Sequence, residues 1–334
     1  MRLLIVTQTV DRDDPILGFF HRWIVEFARY CESVVVICLS AGEHDLPQNV
    51  RVYSLGKEKR KVSREMLGSF TFFSRLLYLV RYYRFIWQLR DEYDAVFVHM
   101  NQIYVILGWA LWRLMHKKVA LWYTHKAVSW SLRLAERCVD IIFTASTESL
   151  RLQSDKKRVV GHGIDVEFFS PRSSLTRENC LLSVGRLMPT KRHDIAVTAA
   201  ALAGVPLRIA GSGPEEDRLR ALASTMKSQV EFLGPLSADK VRDYYQTVSY
   251  LIHTSETGSL DKVVLEAMAC GLSVISTSTA LGGLPIIPAS PTATDIAAII
   301  SAHTQIAPQV LVEYVRNNHS LRMLIPRLLE FLHS

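Results

Sequence analysis

The chain has 334 residues, 49% hydrophobic and 21% charged, with a net charge of +7. Those proportions exclude a disordered, collagen-like or mucin-like chain and leave room for two packed domains of roughly 100–200 residues each. Cys31, Cys38, Cys138, Cys180 and Cys270 stand far apart with no C-x-x-C, which excludes a disulfide framework or zinc ribbon and predicts a reducing, cytoplasmic setting.

In chain order, β-rich runs are predicted at Leu3–Thr7, Val34–Leu39, Val50–Leu55, Ala95–His99, Val119–Tyr123 and Ile141–Ala145. Helical spacing falls between most of them, at about 17–31, 68–92, 103–116, 128–138 and 146–153. Met1–Val6 is too short an apolar run for a signal-peptide core, and no run approaches the roughly 18 residues of a membrane span. Strands such as VVVIC, apolar on both faces, belong in a parallel sheet covered by helices on both sides. Residues 161–179, GHGIDVEFFSPRSSLTREN, break the alternation and read as an interdomain linker. Strands then resume at Leu181–Val184, Leu207–Ala210, Val230–Leu233, Tyr250–Thr254 and Ser273–Thr277. Helices are predicted at about 191–203, 214–227, 237–247, 260–270 and 292–302, with 308–318 and 320–332 closing the chain.

The fold class is therefore α/β, two doubly wound Rossmann-like domains facing across a cleft. The domains are 1–165, 166–318 and a C-terminal helix, 319–334, packing back toward the first. Ligands in such sheets bind beyond the carboxyl ends of the strands.

The charge is concentrated. Residues 57–90 hold nine bases (Lys57, Lys59, Arg60, Lys61, Arg64, Arg75, Arg81, Arg84, Arg90) against Glu58 and Glu65, which matches the whole net charge. Phe73, Leu76, Val80, Tyr83 and Trp87 lie on one helical face and Tyr78, Tyr82, Phe85 and Leu89 on another. A core helix with arginines at its rim is one reading. An anionic membrane surface, with the protein peripheral on the cytoplasmic face, is the next. Nucleic acid ranks last, since no nucleic-acid motif accompanies the charge.

Several motifs are missing. There is no G-x-G-x-x-G after the first strand, no P-loop, no G-x-S-x-G and no metal-binding histidine spacing. Asp11-Arg12-Asp13 reads as a solvated acidic turn, and no metal or cofactor site is expected. The positive signals lie in the second half. Val184-Gly185-Arg186-Leu187 ends a strand, and Pro189-Thr190-Lys191-Arg192 leads into a helix. Arg186 and Lys191 beside a helix N-terminus suit a diphosphate. Gly211-Ser212-Gly213-Pro214 follows the next strand, either letting a ligand approach the backbone or making an ordinary turn. Gly258-Ser259-Leu260 precedes the helix of Asp261, Lys262 and Glu266; Glu266, in an apolar helix, needs a ligand hydroxyl or a structural partner.

Together, VGRLMPTKRHD, LRIAGSGPEEDRLRALA, VEFLGPLSADKVRDYYQ and LDKVVLEAMACGLSVIST, with GHGIDVEFF between the domains, resemble the retaining GT-B glycosyltransferases of family four. The resemblance implies a metal-independent hexosyl-type transferase that takes a UDP- or GDP-sugar and a glycan or lipid-linked acceptor. It implies that Arg186 and Lys191 hold the donor diphosphate, that Glu266 accepts from the ribose, that Gly211 and Gly213 line the nucleotide pocket and that Gly258, Ser259, Leu260, Asp261 and Lys262 bind the donor. It puts Gly18 in the place of the family's glycine-rich loop and His125 in that of its active-site histidine, with His99 a second acceptor-side candidate. The family's first glutamate falls on Gly258; Glu256 and Asp261 are its candidate substitutes. That departure keeps a non-catalytic GT-B partner subunit open as an alternative, beside a GT-B sugar-nucleotide epimerase.

Overall fold

A computed structural model describes residues 1–14, 16–56, 70–172 and 176–333, with backbone alone at 70–74. It forms two compact units, Met1–Gly161 with Arg322–Ser334, and His162–Leu321.

In the first unit, β1 (Arg2–Val10), α1 (Gly18–Tyr30), β2 (Ser33–Ala41), β3 (Val50–Ser54), α2 (Phe70–Gln88) and β4 (Ala95–His99) are followed by α3 (Gln102–Leu114), β5 (Lys118–Trp122), α4 (Trp130–Cys138), β6 (Ile141–Thr144) and β7 (Lys157–Val159). The sheet is parallel, in the order β3-β2-β1-β4-β5-β6-β7. Alternate residues explain its two covered faces. Leu4, Val6, Val96 and Val98 pack with Tyr82 and Ile86 of α2, Val105 and Trp112 of α3 and Leu132 of α4. On the other face, Phe97 meets Phe27 of α1.

In the second unit, β8 (Glu178–Val184), α5 (His193–Ala203), β9 (Leu207–Ala210), α6 (Glu216–Thr225), β10 (Val230–Gly234), α7 (Ala238–Thr247) and β11 (Val248–His253) precede α8 (Lys262–Ala269), β12 (Ser273–Ser276), β13 (Ile287–Pro288), α9 (Ala293–Ser301) and α10 (Pro308–His319). The order is β10-β9-β8-β11-β12-β13. Leu182, Leu251 and Val274 pack under α8 and α10, while Leu181, Ile252 and Ile275 pack under α5 and α9. The last helix, α11 (Leu321–His333), joins the first unit, with Phe331 against Phe143.

Two expectations are corrected. Residues 146–153 are not a helix: Ser146 accepts from the Ser149 N–H through both its carbonyl and its side chain, closing one turn that goes no further. The described part of 161–179 is not a free linker either, because Ile164 and Phe169 are buried in the second unit's core. No described helix is long and apolar enough to cross a membrane. Of the basic segment, Lys57, Lys59, Arg60, Lys61 and Arg64, and the side chain of Phe73, lie outside the described residues.

Candidate functional site

In each sheet the chain builds outward on one side of its first strand and then crosses to the other, leaving a switch point at the carboxyl ends of two adjacent strands. In the second unit those strands are β8 and β11. Arg186 and Lys191 follow β8, and the run from Thr254 to Asp261 follows β11, so the topology brings the two loops together.

Specific bonds join them. Thr254 Oγ1 lies 2.9 and 2.8 Å from the carbonyl oxygens of Lys191 and Arg192, and the Glu256 N–H donates to Thr190 O at 2.9 Å. Arg192 is held at φ 50°, a left-handed conformation costly for a residue with a Cβ. Its guanidinium pairs with Glu256 at 2.5 Å and Asp194 at 3.2 Å. His193 is buried behind this turn, with Nδ1 2.9 Å from Ser183 Oγ and Nε2 3.3 Å from the Arg186 carbonyl. Burial lowers its pKa to about 4, so near neutral pH it is an uncharged strut.

Lys191 is the centre of the network. Its Nζ lies 2.5 Å from Asp261 Oδ2, and the same oxygen lies 3.0 Å from Nε2 of the buried His253. Ser276 Oγ is 2.9 Å from His253 Nδ1, and Ser259 Oγ donates to Asp261 Oδ1 at 3.2 Å. Burial opposes ionisation of Asp261, but the His253 hydrogen bond and the Lys191 charge outweigh it and hold the carboxyl below the ordinary carboxylate range. Asp261 stands at the N-cap of α8 without capping it, because its oxygens are engaged elsewhere. The first N–H groups of α8 therefore lack a side-chain acceptor from their N-cap and can receive an anion. Arg186 is exposed and makes no ion pair among the described residues. Lys191 lies close to its loop, since a Cβ on Gly185 would come 3.8 Å from Lys191 Cδ.

The remaining predicted residues divide. Glu266 is mostly buried on α8, 3.7 Å from Lys262 and facing the buried Tyr245, whose pKa is raised by burial and then by the Glu266 charge. Leu260 is buried, and its carbonyl lies 3.0 Å from Nε2 of His162. Gly258 has φ 57°, where a glutamate would be strained. Neither candidate substitute for that glutamate is idle: Glu256 is tied to Arg192 and Asp261 to Lys191. Gly211 and Gly213 serve loop packing. A Cβ there would come 1.9 Å from Gly185 O and 2.3 Å from Leu187 O, and the Leu187 N–H donates to Ser212 O. The sequence reading missed His253, Thr254, Ser276 and His193. For His253, Thr254 and Ser276 the signal was the polar residue ending or following an apolar strand; for His193 it was the histidine opening the helix after Lys191.

In the first unit, Gly18, His99 and His125 follow or end β1, β4 and β5, adjacent strands at that sheet's own switch point. Gly18 opens α1 against the preceding loop, where a Cβ would meet Arg12 O at 2.7 Å. His125 is exposed, with Nδ1 accepting from the Ala127 N–H at 3.1 Å. His99 is 1% exposed, stacked on Phe20 with ring centroids 3.8 Å apart and 3.3 Å from Thr7 Oγ1. It is a core histidine closed off from solvent. Among the described residues no three of His, Cys, Asp or Glu come together as metal ligands.

Residues 165–314 match the family model for glycosyl transferases group 1. A D-inositol 3-phosphate glycosyltransferase of Acidothermus cellulolyticus is 34% identical over 179 residues, covering 45% of this chain and 39% of that protein. One of Mycolicibacterium smegmatis is 33% identical over 170 residues, covering 44% and 38%. The alignments thus span about two fifths of these curated relatives. Among solved structures, Anabaena HepE in complex with UDP and glucose superposes with a TM-score of 0.74 at 17% identity, covering 100% of both chains. Sucrose-phosphate synthase of Thermosynechococcus elongatus superposes with a TM-score of 0.75 at 16% identity, covering 99% and 98%.

Proposed function

We propose that this chain, a GT-B protein whose C-terminal unit carries group 1 glycosyl transferase sequence, is a retaining glycosyltransferase. It moves a hexosyl unit from a UDP- or GDP-sugar to a lipid-linked or polysaccharide acceptor. One observation carries the reading. Beyond β8 and β11, Lys191 is paired with Asp261 at the uncapped N-terminus of α8, Arg186 lies on the same loop after β8, and Glu266 lies one turn further along the helix. That set suits a nucleoside diphosphate: cations and N–H groups for the phosphates, a carboxylate for the ribose hydroxyls.

The chemistry is cleavage of an anomeric C–O bond whose leaving group is that diphosphate. Negative charge grows on the departing phosphate, and donors already in place stabilise it, each worth ~2.7–4 kcal/mol. Lys191 is oriented by Asp261 before the donor arrives, so little reorganisation is needed. Positive charge grows at the anomeric carbon, and the acceptor attacks from the side the diphosphate leaves. In the same reading Gly18 belongs to the loop that approaches the diphosphate and the acceptor, and His125 serves the acceptor side, both at the carboxyl end of the first sheet. The UDP bound by HepE is in keeping with the donor, whereas the Acidothermus and Mycolicibacterium relatives are named for D-inositol 3-phosphate, a small acceptor that is neither lipid-linked nor a polysaccharide.

The test is turnover measured by nucleotide release. Arg186→Ala should cut it at least about a hundredfold. The side chain is exposed, so the fold should survive. Lys191→Ala should do the same. Activity like that of the wild type in both variants would refute the assignment. A second reading, a non-catalytic GT-B subunit, draws on Gly258 in place of a glutamate and on the pairing of Lys191 with Asp261. Nucleotide bound without release, in the presence of a range of acceptors, would favour it. A free sugar nucleotide with one inverted centre would favour an epimerase.

A further inference from the structure

We propose that the outer face of α2, α3 and α4 seats the first unit on an anionic lipid bilayer. The inference is independent of the transfer reaction. Helix α2 is apolar on two sides. Tyr82, Ile86 and Leu89 enter the core, while Leu76, Val80, Tyr83 and Trp87, spaced four, three and four apart, face outward and are exposed. Helix α3 packs between α2 and α4, so its exposed residues also point outward. They include Trp109 and Leu114, the latter 68% exposed. Helix α4 begins with Trp130, 76% exposed, five residues after His125. Single exposed apolar residues are ordinary, but a run of them over three adjacent helices marks an interaction surface.

The charge on the same three helices selects the occupant. Arg75, Arg81, Arg84, Arg113, Arg133 and Arg137 are opposed by one acid, Glu136. All six arginines belong to exposed residues. A second copy of the chain would set arginine against arginine. A nucleic acid would satisfy the guanidiniums but leave Leu76, Val80 and Leu114 facing phosphate and water. Anionic headgroups over hydrocarbon satisfy both, with tryptophan and tyrosine at the boundary where their amphipathic rings belong.

The experiment is flotation of the full chain with vesicles of phosphatidylcholine alone, or with part of it replaced by phosphatidylglycerol. Binding should need the anionic lipid and fall with salt. Each cation near such a surface contributes about fivefold, so Arg84→Glu with Arg133→Glu should weaken binding at least about 25-fold. Trp87→Ser with Trp130→Ser should weaken it at least about tenfold while far-UV circular dichroism is unchanged. In the wild type, lipids brominated in the acyl chain should quench tryptophan fluorescence, a readout that needs no variant. Equal binding to neutral vesicles, undiminished binding by both double variants, or no quenching would overturn the proposal. So would a concentration-dependent dimer that shields these tryptophans, or RNA that displaces the vesicles.

Discussion

Replacing Asp261 with asparagine removes one charge from a network of four side chains and keeps the volume. In the wild type, Oδ2 faces Lys191 Nζ at 2.5 Å and His253 Nε2 at 3.0 Å, and Oδ1 accepts from Ser259 at 3.2 Å. The variant's amide nitrogen can only donate, so at least one donor loses its acceptor. Breaking a buried ion pair costs about 3–5 kcal/mol. Here the side chains of Lys191 and Asp261 are 19% and 17% exposed, and partial solvation reduces the expectation to about 2–3 kcal/mol. The pH dependence has a definite sign. The folded carboxyl titrates below its ordinary value, so its stabilisation is complete above the unfolded pKa of about 3.9 and is lost as pH falls from there toward the folded value. The gap between wild type and variant should therefore be full near neutral pH and shrink at about pH 3. All six tryptophans lie in the first unit, so urea unfolding of the second is followed by circular dichroism, with tryptophan fluorescence as the internal control. Equal midpoints at neutral pH, or a gap that keeps its size in acid, would refute the reasoning.

Further outcomes are expected. Gly211→Ala forces a methyl group toward Gly185 O at a φ of +142° and should destabilise the second unit by at least about 2 kcal/mol in the same urea assay. Burial lowers the pKa values of His162, His193 and His319 to about 3, 4 and 4. The unfolded chain thus binds protons first, and the second unit should lose stability as pH falls from about 6.5 toward about 4. The loss is at most about 1.4 kcal/mol per pH unit for each histidine. His193→Asn should flatten that slope in calorimetry; an unchanged slope would remove His193 from the account. Glu266→Gln should weaken nucleotide binding at least about tenfold by titration calorimetry, and an unaltered affinity would count against the ribose role.

The double winding was legible because strands buried on both faces read as unbroken apolar runs, as at Val34–Cys38. β7 was not, because Lys157–Val159 has neither a run nor an alternation. Helix α2 showed the limit of periodicity: with apolar residues on two faces, the sequence could not say which packs inward, and the stripe of Leu76, Val80, Tyr83 and Trp87 turned out to face solvent. Arg186 and Lys191 were readable because strand ends and helix starts can be located from sequence. The partner of Lys191 was not, since Asp261 is 70 residues away and only the adjacency of β8 and β11 brings it near. His99 and His125 were indistinguishable as histidines at strand ends; Phe20, far off in sequence, decides that one is sealed in the core.

Helix α11 makes the first unit discontinuous: its last layer is encoded at the far end of the chain, after the whole of the second unit. Cutting the chain before α11 would therefore reach back into the N-terminal half: the Phe143 side of the first sheet would lose its cover, while the second unit, contiguous from His162 to Leu321, would keep every element of its own.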